Sequence, residues 1–180
     1  MTMKNSPLIN AQPVWDRFVR LFHWTLVLCV VVNYFVLSDG KTLHQWLGYL
    51  ATALVMARIV WGFIGSRYAR FSDFFPTPAR LWRHVSQLRA GTPEVHWGHN
   101  PLGALMILAL ISLVLGLGVT GWMQTLDAYW GEEWLQDVHE LLGNVLIGLA
   151  ALHALSAIVM GRLERTRLIR AMFTGIKERW

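Results

Sequence analysis

The chain has 180 residues, of which 54% are hydrophobic and only 15% charged, with a mean hydropathy of +0.39. That balance excludes a disordered chain and falls well below the roughly 25% charge of an average soluble domain. The single cysteine, Cys29, excludes a disulfide framework, a two-cysteine zinc or thiol-redox motif, and the C-x-x-C-H attachment of covalent haem.

Four runs are long and apolar enough to cross a bilayer, which takes about 20 residues. The first covers about 17–37 and is uncharged after Arg20. The N-terminal 15 residues read as a loose tail. Its apolar part starts near residue 21 and no A-x-A-like site follows, so it reads as an anchor rather than a cleaved signal. The second run covers about 43–65, interrupted by His44 and Arg58. Residues 66–100 form a polar loop with a short helix predicted over 78–89. The third run, 101–123, carries no charge, and Asn100-Pro101 reads as an N-cap followed by proline at the first helical position. The fourth covers about 136–160. Beyond it, 162–180 interleaves basic residues with Leu168, Ile169, Met172, Phe173 and Ile176, which predicts a helix lying on an anionic inner leaflet. No strand and no internal repeat is expected. The predicted fold class is all-α: one integral membrane domain, 1–180, built as a four-helix bundle.

Charge sets the orientation. Net charge is +5 with pI about 9.9, a balance that alone would fit nucleic acid. Its distribution fits a membrane instead. Lys4, Arg17 and Arg20 precede the first run; Arg67, Arg70, Arg80, Arg83 and Arg89 lie between the second and third; Arg162, Arg165, Arg167, Arg170, Lys177 and Arg179 follow the fourth. The opposite side has Lys41 and collects Asp39, Asp127, Glu132, Glu133 and Asp137. Fourteen basic residues against one place both termini in the cytoplasm. Tryptophans and tyrosines near the run ends, Trp15, Trp24, Trp46, Trp61, Trp122, Tyr129, Trp130 and Trp134, suit interfacial belts.

The candidate chemistry is in the histidines. His23 starts the first run on the cytoplasmic side, and His44 starts the second on the outer side. His139 and His153 lie in the fourth, outer and cytoplasmic respectively, 14 residues apart. Fourteen residues come within about 40° of four full helical turns, so both face one way, separated by about 21 Å along the axis. Ionisable groups inside a membrane are costly and mark functional sites. Two pairs at matched depths, His23 with His153 and His44 with His139, predict two bis-histidine haems held between facing helices. Gly48 and Gly143 each follow a histidine by four residues, leaving room for a flat ring. Gly116, Gly118 and Gly121 are candidates for the same role on the third run, which supplies no ligand. Arg20 and Arg58 are candidate partners of the cytoplasmic-side propionates, and Lys41 is the basic candidate outside. His84, His96 and His99, in the polar loop, read as surface or capping residues.

The sequence also resembles the bacterial cytochrome b-561 superfamily, close to the b-type cytochrome subunits of nickel–iron hydrogenases. The likeness covers about 14–176 and rests on V-W-D-R-F-V-R-L-F-H-W at 14–24, H-Q-W-L-G-Y at 44–49, R-I-V-W-G-F at 58–63, G-H-N-P-L-G-A at 98–104, V-H-E at 138–140, the helix around His153, and A-M-F-T-G at 171–175. Members are four- or five-helix membrane proteins that bind b-type haem and exchange electrons with quinones or partner redox proteins. The resemblance maps the iron ligands onto His23, His44, His139 and His153, in agreement with the depth pairing.

The expected function is transmembrane electron transfer in the inner membrane, as the cytochrome b component of a respiratory redox complex. One end would meet the quinone pool. The other would meet an extracytoplasmic redox partner, a hydrogenase or a c-type cytochrome-like protein. A self-contained superoxide:quinone oxidoreductase is the main rival, weakened by the acidic outer loops; a non-redox membrane scaffold is the third reading. The expected partners are lipid, quinone and that redox protein, with no nucleic acid.

Overall fold

The computed structural model describes residues 11–37, 42–92 and 96–180. In chain order the elements are β1 (Ala11–Pro13), α1 (Arg17–Phe35), α2 (Thr42–Ile64), α3 (Phe71–Phe74), α4 (Pro78–Arg89), α5 (Pro101–Met123), α6 (Glu133–Leu163), α7 (Leu168–Thr174) and β2 (Ile176–Glu178). Lys4, Asp39 and Lys41 lie outside the described residues, and so do the first ten residues of the expected tail.

Four of these helices, α1, α2, α5 and α6, are long and apolar enough to cross a membrane. Their starts follow from local chemistry. The Asp16 carboxylate caps α1, accepting from the Val19 amide at 2.8 Å. Asn100 caps α5 in the same way, accepting from Gly103 at 2.7 Å, with Pro101 at the first helical position. α6 is longer than its apolar run at both ends. Glu133, Gln136 and Arg162 are compatible with helix but not with hydrocarbon, so apolarity marks the bilayer rather than the helix ends.

The helices contribute to one core of Cys29, Ala51, Val55, Val114 and Leu146, drawn from all four. Cys29 behaves there as a small apolar residue. α5 packs most extensively on α6, and α2 packs on both α1 and α5. Gly118 permits the α2–α5 approach: a Cβ there would run into the Thr52 side chain. α6 does not approach α1 or α2 as closely. It reaches α1 through long side chains, as where the Tyr34 hydroxyl donates to Asn144 Oδ1 at 2.6 Å. Outward-facing apolar residues such as Leu21, Leu28, Phe35, Val60, Phe63, Leu141 and Leu155 stay exposed, a surface suited to lipid.

The expectation of no strands is corrected. β1 and β2 pair antiparallel, with Ala11 opposite Glu178 and Pro13 opposite Ile176. Residues 11–15 are therefore not loose tail: Val14 is buried, and the Val14 and Trp15 amides donate to the Gly175 carbonyl at 2.8 and 3.1 Å. The single interfacial helix expected over 162–180 is also corrected. α6 ends at Leu163, Arg165 adopts positive φ, α7 makes about two turns, and Gly175 ends it at φ 83°. A Cβ at Gly175 would lie 2.7 Å from the Trp15 carbonyl, so the turn needs glycine twice over, for φ and for space. Backbone pairing with residues 11–13 wins over continued helix for 176–178.

This clasp is anchored by a buried ion pair. Lys177 Nζ lies 3.4 Å from Glu164 Oε2, with both side chains almost fully buried, and donates to the His96 carbonyl. Burial pushes the Lys177 amine below its ordinary value, while Glu164 pulls it back up.

Candidate functional site

Antiparallel neighbours put the start of α1 beside the end of α2. Asp16 fixes that corner, accepting from Trp61 Nε1 at 2.9 Å and from the Ser66 hydroxyl at 2.5 Å as well as capping α1. Burial alone would raise the Asp16 carboxyl, but donors from Ser66, Val19 and Trp61 hold it below its ordinary value.

Near this end, His23 of α1 faces His153 of α6, with ring centres 6.4 Å apart and planes inclined by 52°. Toward the other end, His44 of α2 faces His139 of α6 at 6.2 Å and 63°. A metal–imidazole bond is about 2 Å, so two imidazoles facing across one ion have ring centres about 6 Å apart. Both pairs have that spacing. α6 is continuous between His139 and His153, which places the pairs roughly 21 Å apart along its axis.

The donor set fits a haem better than a bare metal ion. Among the described residues, no three of His, Cys, Asp or Glu converge as a protein-only metal cage. The histidines meet in twos, which suits an iron whose other four ligands come from a porphyrin. Among the described residues, the Nδ1 atoms of His23 and His44 are buried without a hydrogen-bond partner, so neither ring is tied down through that nitrogen. The glycine expectation divides. A Cβ at Gly143 would meet open space, and one at Gly48 would find only Asn33 Nδ2, 4.0 Å away. Both leave room beside a histidine pair. Gly116 and Gly121 instead make close contacts, with Leu142 and His139.

The two arginines keep unused donors. Arg58 is 3% exposed; its Nη2 donates to the Ala69 carbonyl at 3.0 Å, while Nη1 has no partner among the described residues. Arg20 donates from Nη1 to the Phe173 carbonyl at 2.6 Å, and its Nε has no partner among the described residues. Buried cationic donors of this kind suit carboxylates. Lys41, the outer candidate, lies outside the described residues.

Of the loop histidines, His84 is buried rather than at the surface, while His96 and His99 are half-buried. His84 is 1% exposed and lies edge-on to His96 at 5.4 Å. His99 is packed between Trp15 at 4.5 Å and Phe74 at 4.9 Å. Burial, with the charges of Arg58, His153, Lys177 and His23 around it, pushes His99 down to about 3, so it stays neutral near pH 7. The contact of Thr120 with His139 was also missed, although a hydroxyl in an uncharged span is a signal in its own right.

Comparison with known proteins gives relatives of one kind. The "Probable Ni/Fe-hydrogenase 1 B-type cytochrome subunit" of Escherichia coli (strain K12) is 26% identical over 145 positions, 66% of this chain and 62% of its own length. The "Probable Ni/Fe-hydrogenase B-type cytochrome subunit" of Azotobacter vinelandii is 25% identical, covering 90% of this chain and 86% of its own. That of Bradyrhizobium diazoefficiens is 23% identical, covering 92% and 85%. In the first of these matches the chain spans less than two thirds of the relative's length. No solved structure gives a significant match. The family model for prokaryotic cytochrome b561 matches residues 14–175, nearly the whole chain, and the chain belongs to that family.

Proposed function

We propose that the chain is a di-haem membrane cytochrome b carrying electrons across the inner membrane between the quinone pool and an extracytoplasmic redox partner. Membership of a cytochrome b family implies b-type haem. The observation that carries the two-haem reading is the pair of imidazole spacings, 6.4 and 6.2 Å, at opposite ends of α6. When bound, the group would supply one-electron chemistry, and the chain's part would be to hold it through paired imidazoles. His23 and His153 would hold one haem, and His44 and His139 the other. Arg20 and Arg58 would receive propionates at the His23 end. The rigid helices keep each imidazole pair fixed, so a change of charge at the site meets little rearrangement of the chain.

The fourteen-to-one bias of basic residues supports placing the His23/His153 end on the cytoplasmic side. The relatives' names support a hydrogenase-type redox protein as partner. Asp127, Glu132, Glu133 and Asp137 are exposed at the other end. That acidic face suits a protein with a basic patch and repels superoxide, which disfavours the self-contained oxidase.

The test is the haem content of the purified chain. Acidified organic solvent should extract two b haems per chain, leaving none attached. A stoichiometry of one would make one histidine pair structural; none would overturn the reading.

A further inference from the structure

Thr120 lies one residue before Gly121 on α5, the long helix that contributes no histidine. Its hydroxyl lies 2.8 Å from Nδ1 of His139 and 2.8 Å from the Gly116 carbonyl one turn back. A hydroxyl has one hydrogen to give, and a carbonyl can only accept. With Nε2 turned to an iron, the neutral ring of His139 carries its hydrogen on Nδ1, which then donates to the Thr120 hydroxyl. The hydroxyl hydrogen is left for the Gly116 carbonyl at 2.8 Å or the Leu117 carbonyl at 3.3 Å, bonds common for threonine in helices. Gly121 brings α5 close enough for the contact, since a Cβ there would lie 3.2 Å from His139 Cε1.

We propose that Thr120 is a positioning residue that fixes His139 in its metal-donating tautomer and lowers the potential of the haem held by His44 and His139; this rests on the two-haem reading above. A ligating histidine whose other ring nitrogen donates a hydrogen bond is oriented and becomes a stronger base. A stronger base favours ferric over ferrous iron. The effect is local. Among the described residues His23 and His44 have no hydrogen-bond partner on Nδ1, and the His23/His153 pair is roughly 21 Å away along α6.

The experiment is a potentiometric titration of the purified full chain, comparing wild type, Thr120→Val, Thr120→Ser and His139→Ala. Thr120→Val keeps the β-branched shape and removes the hydroxyl. It should raise the transition that His139→Ala abolishes and leave the other unmoved. Outer-shell changes typically cost 10–100-fold in metal affinity. A tenfold loss of ferric preference corresponds to about 59 mV for a one-electron couple. Loss of that haem alone from the Val variant would also support the proposal, and Thr120→Ser should match wild type. Two wild-type haems with unchanged potentials in Thr120→Val, a shift of the other transition, or a Ser variant that behaves like Val would overturn the proposal alone. A wild-type chain without haem would overturn the functional reading with it.

Discussion

His153→Ala should remove one haem and spare the other. The variant leaves His23 facing nothing across the 6.4 Å that separates the two rings. One imidazole cannot hold a six-coordinate iron, so that site should empty or change spin state. The second pair sits 14 residues away on the same helix, about 21 Å along the axis. Sites more than about 10 Å apart with no shared partner respond independently. Haem content should therefore fall by half, from two per chain to one. A redox titration should lose one of its two transitions and keep the other at its wild-type position. His23→Ala should remove the same transition as His153→Ala. His44→Ala and His139→Ala should both remove the remaining one. All four variants should fail to pass electrons across a membrane, because each breaks the relay. The assay is haem content with potentiometric titration on the four purified variants. If His23→Ala and His44→Ala abolish the same transition, the pairing by depth is wrong.

Orientation is checked by reporter fusions: one active only outside the cytoplasm should be silent at residue 180 and active near Asp127, and the reverse would swap the compartments assigned to the two sites. Lys177→Ala should destabilise the detergent-solubilised protein by about 3–5 kcal/mol, because it leaves the buried Glu164 carboxylate without its partner. Replacing both, as Lys177→Met with Glu164→Gln, should cost much less on thermal unfolding; a double variant as unstable as the single one would mean that the charge pairing is irrelevant.

The long helices were legible because twenty apolar residues have few alternatives in a chain of this composition. The histidine pairs were legible because depth and helical phase can both be counted along a straight α6. The clasp was not. Each strand is three residues long, and Pro13 and Ile176 are partners across most of the chain, so no local periodicity announces them. The same contact converts the expected interfacial helix into α7, a glycine turn and a strand. The burial of His84 and the packing of His99 were hidden for a related reason. A polar loop reads as solvated until its residues are seen folding against Trp15 and Phe74. Thr120 was not legible because a threonine in an apolar helix ordinarily bonds its own backbone, and its contact with His139 depends on how α5 packs on α6.

The pairing of β1 with β2 also sets an order of events during biosynthesis. Ile176–Glu178 leaves the ribosome 163 residues after Pro13. At about 5–20 residues per second, that interval is roughly 10–30 s. The second half of the brace on α1 arrives with it: Trp24 Nε1 donates to the Met172 carbonyl at 3.2 Å and its ring stacks on Phe173 at 4.3 Å, next to His23. The partner of His23 is on α6, which is also made late. A nascent chain can thus enter the membrane and pack its first helices long before the His23 end is closed. A chain interrupted before residue 172 would lack the fastening that holds α1 in place.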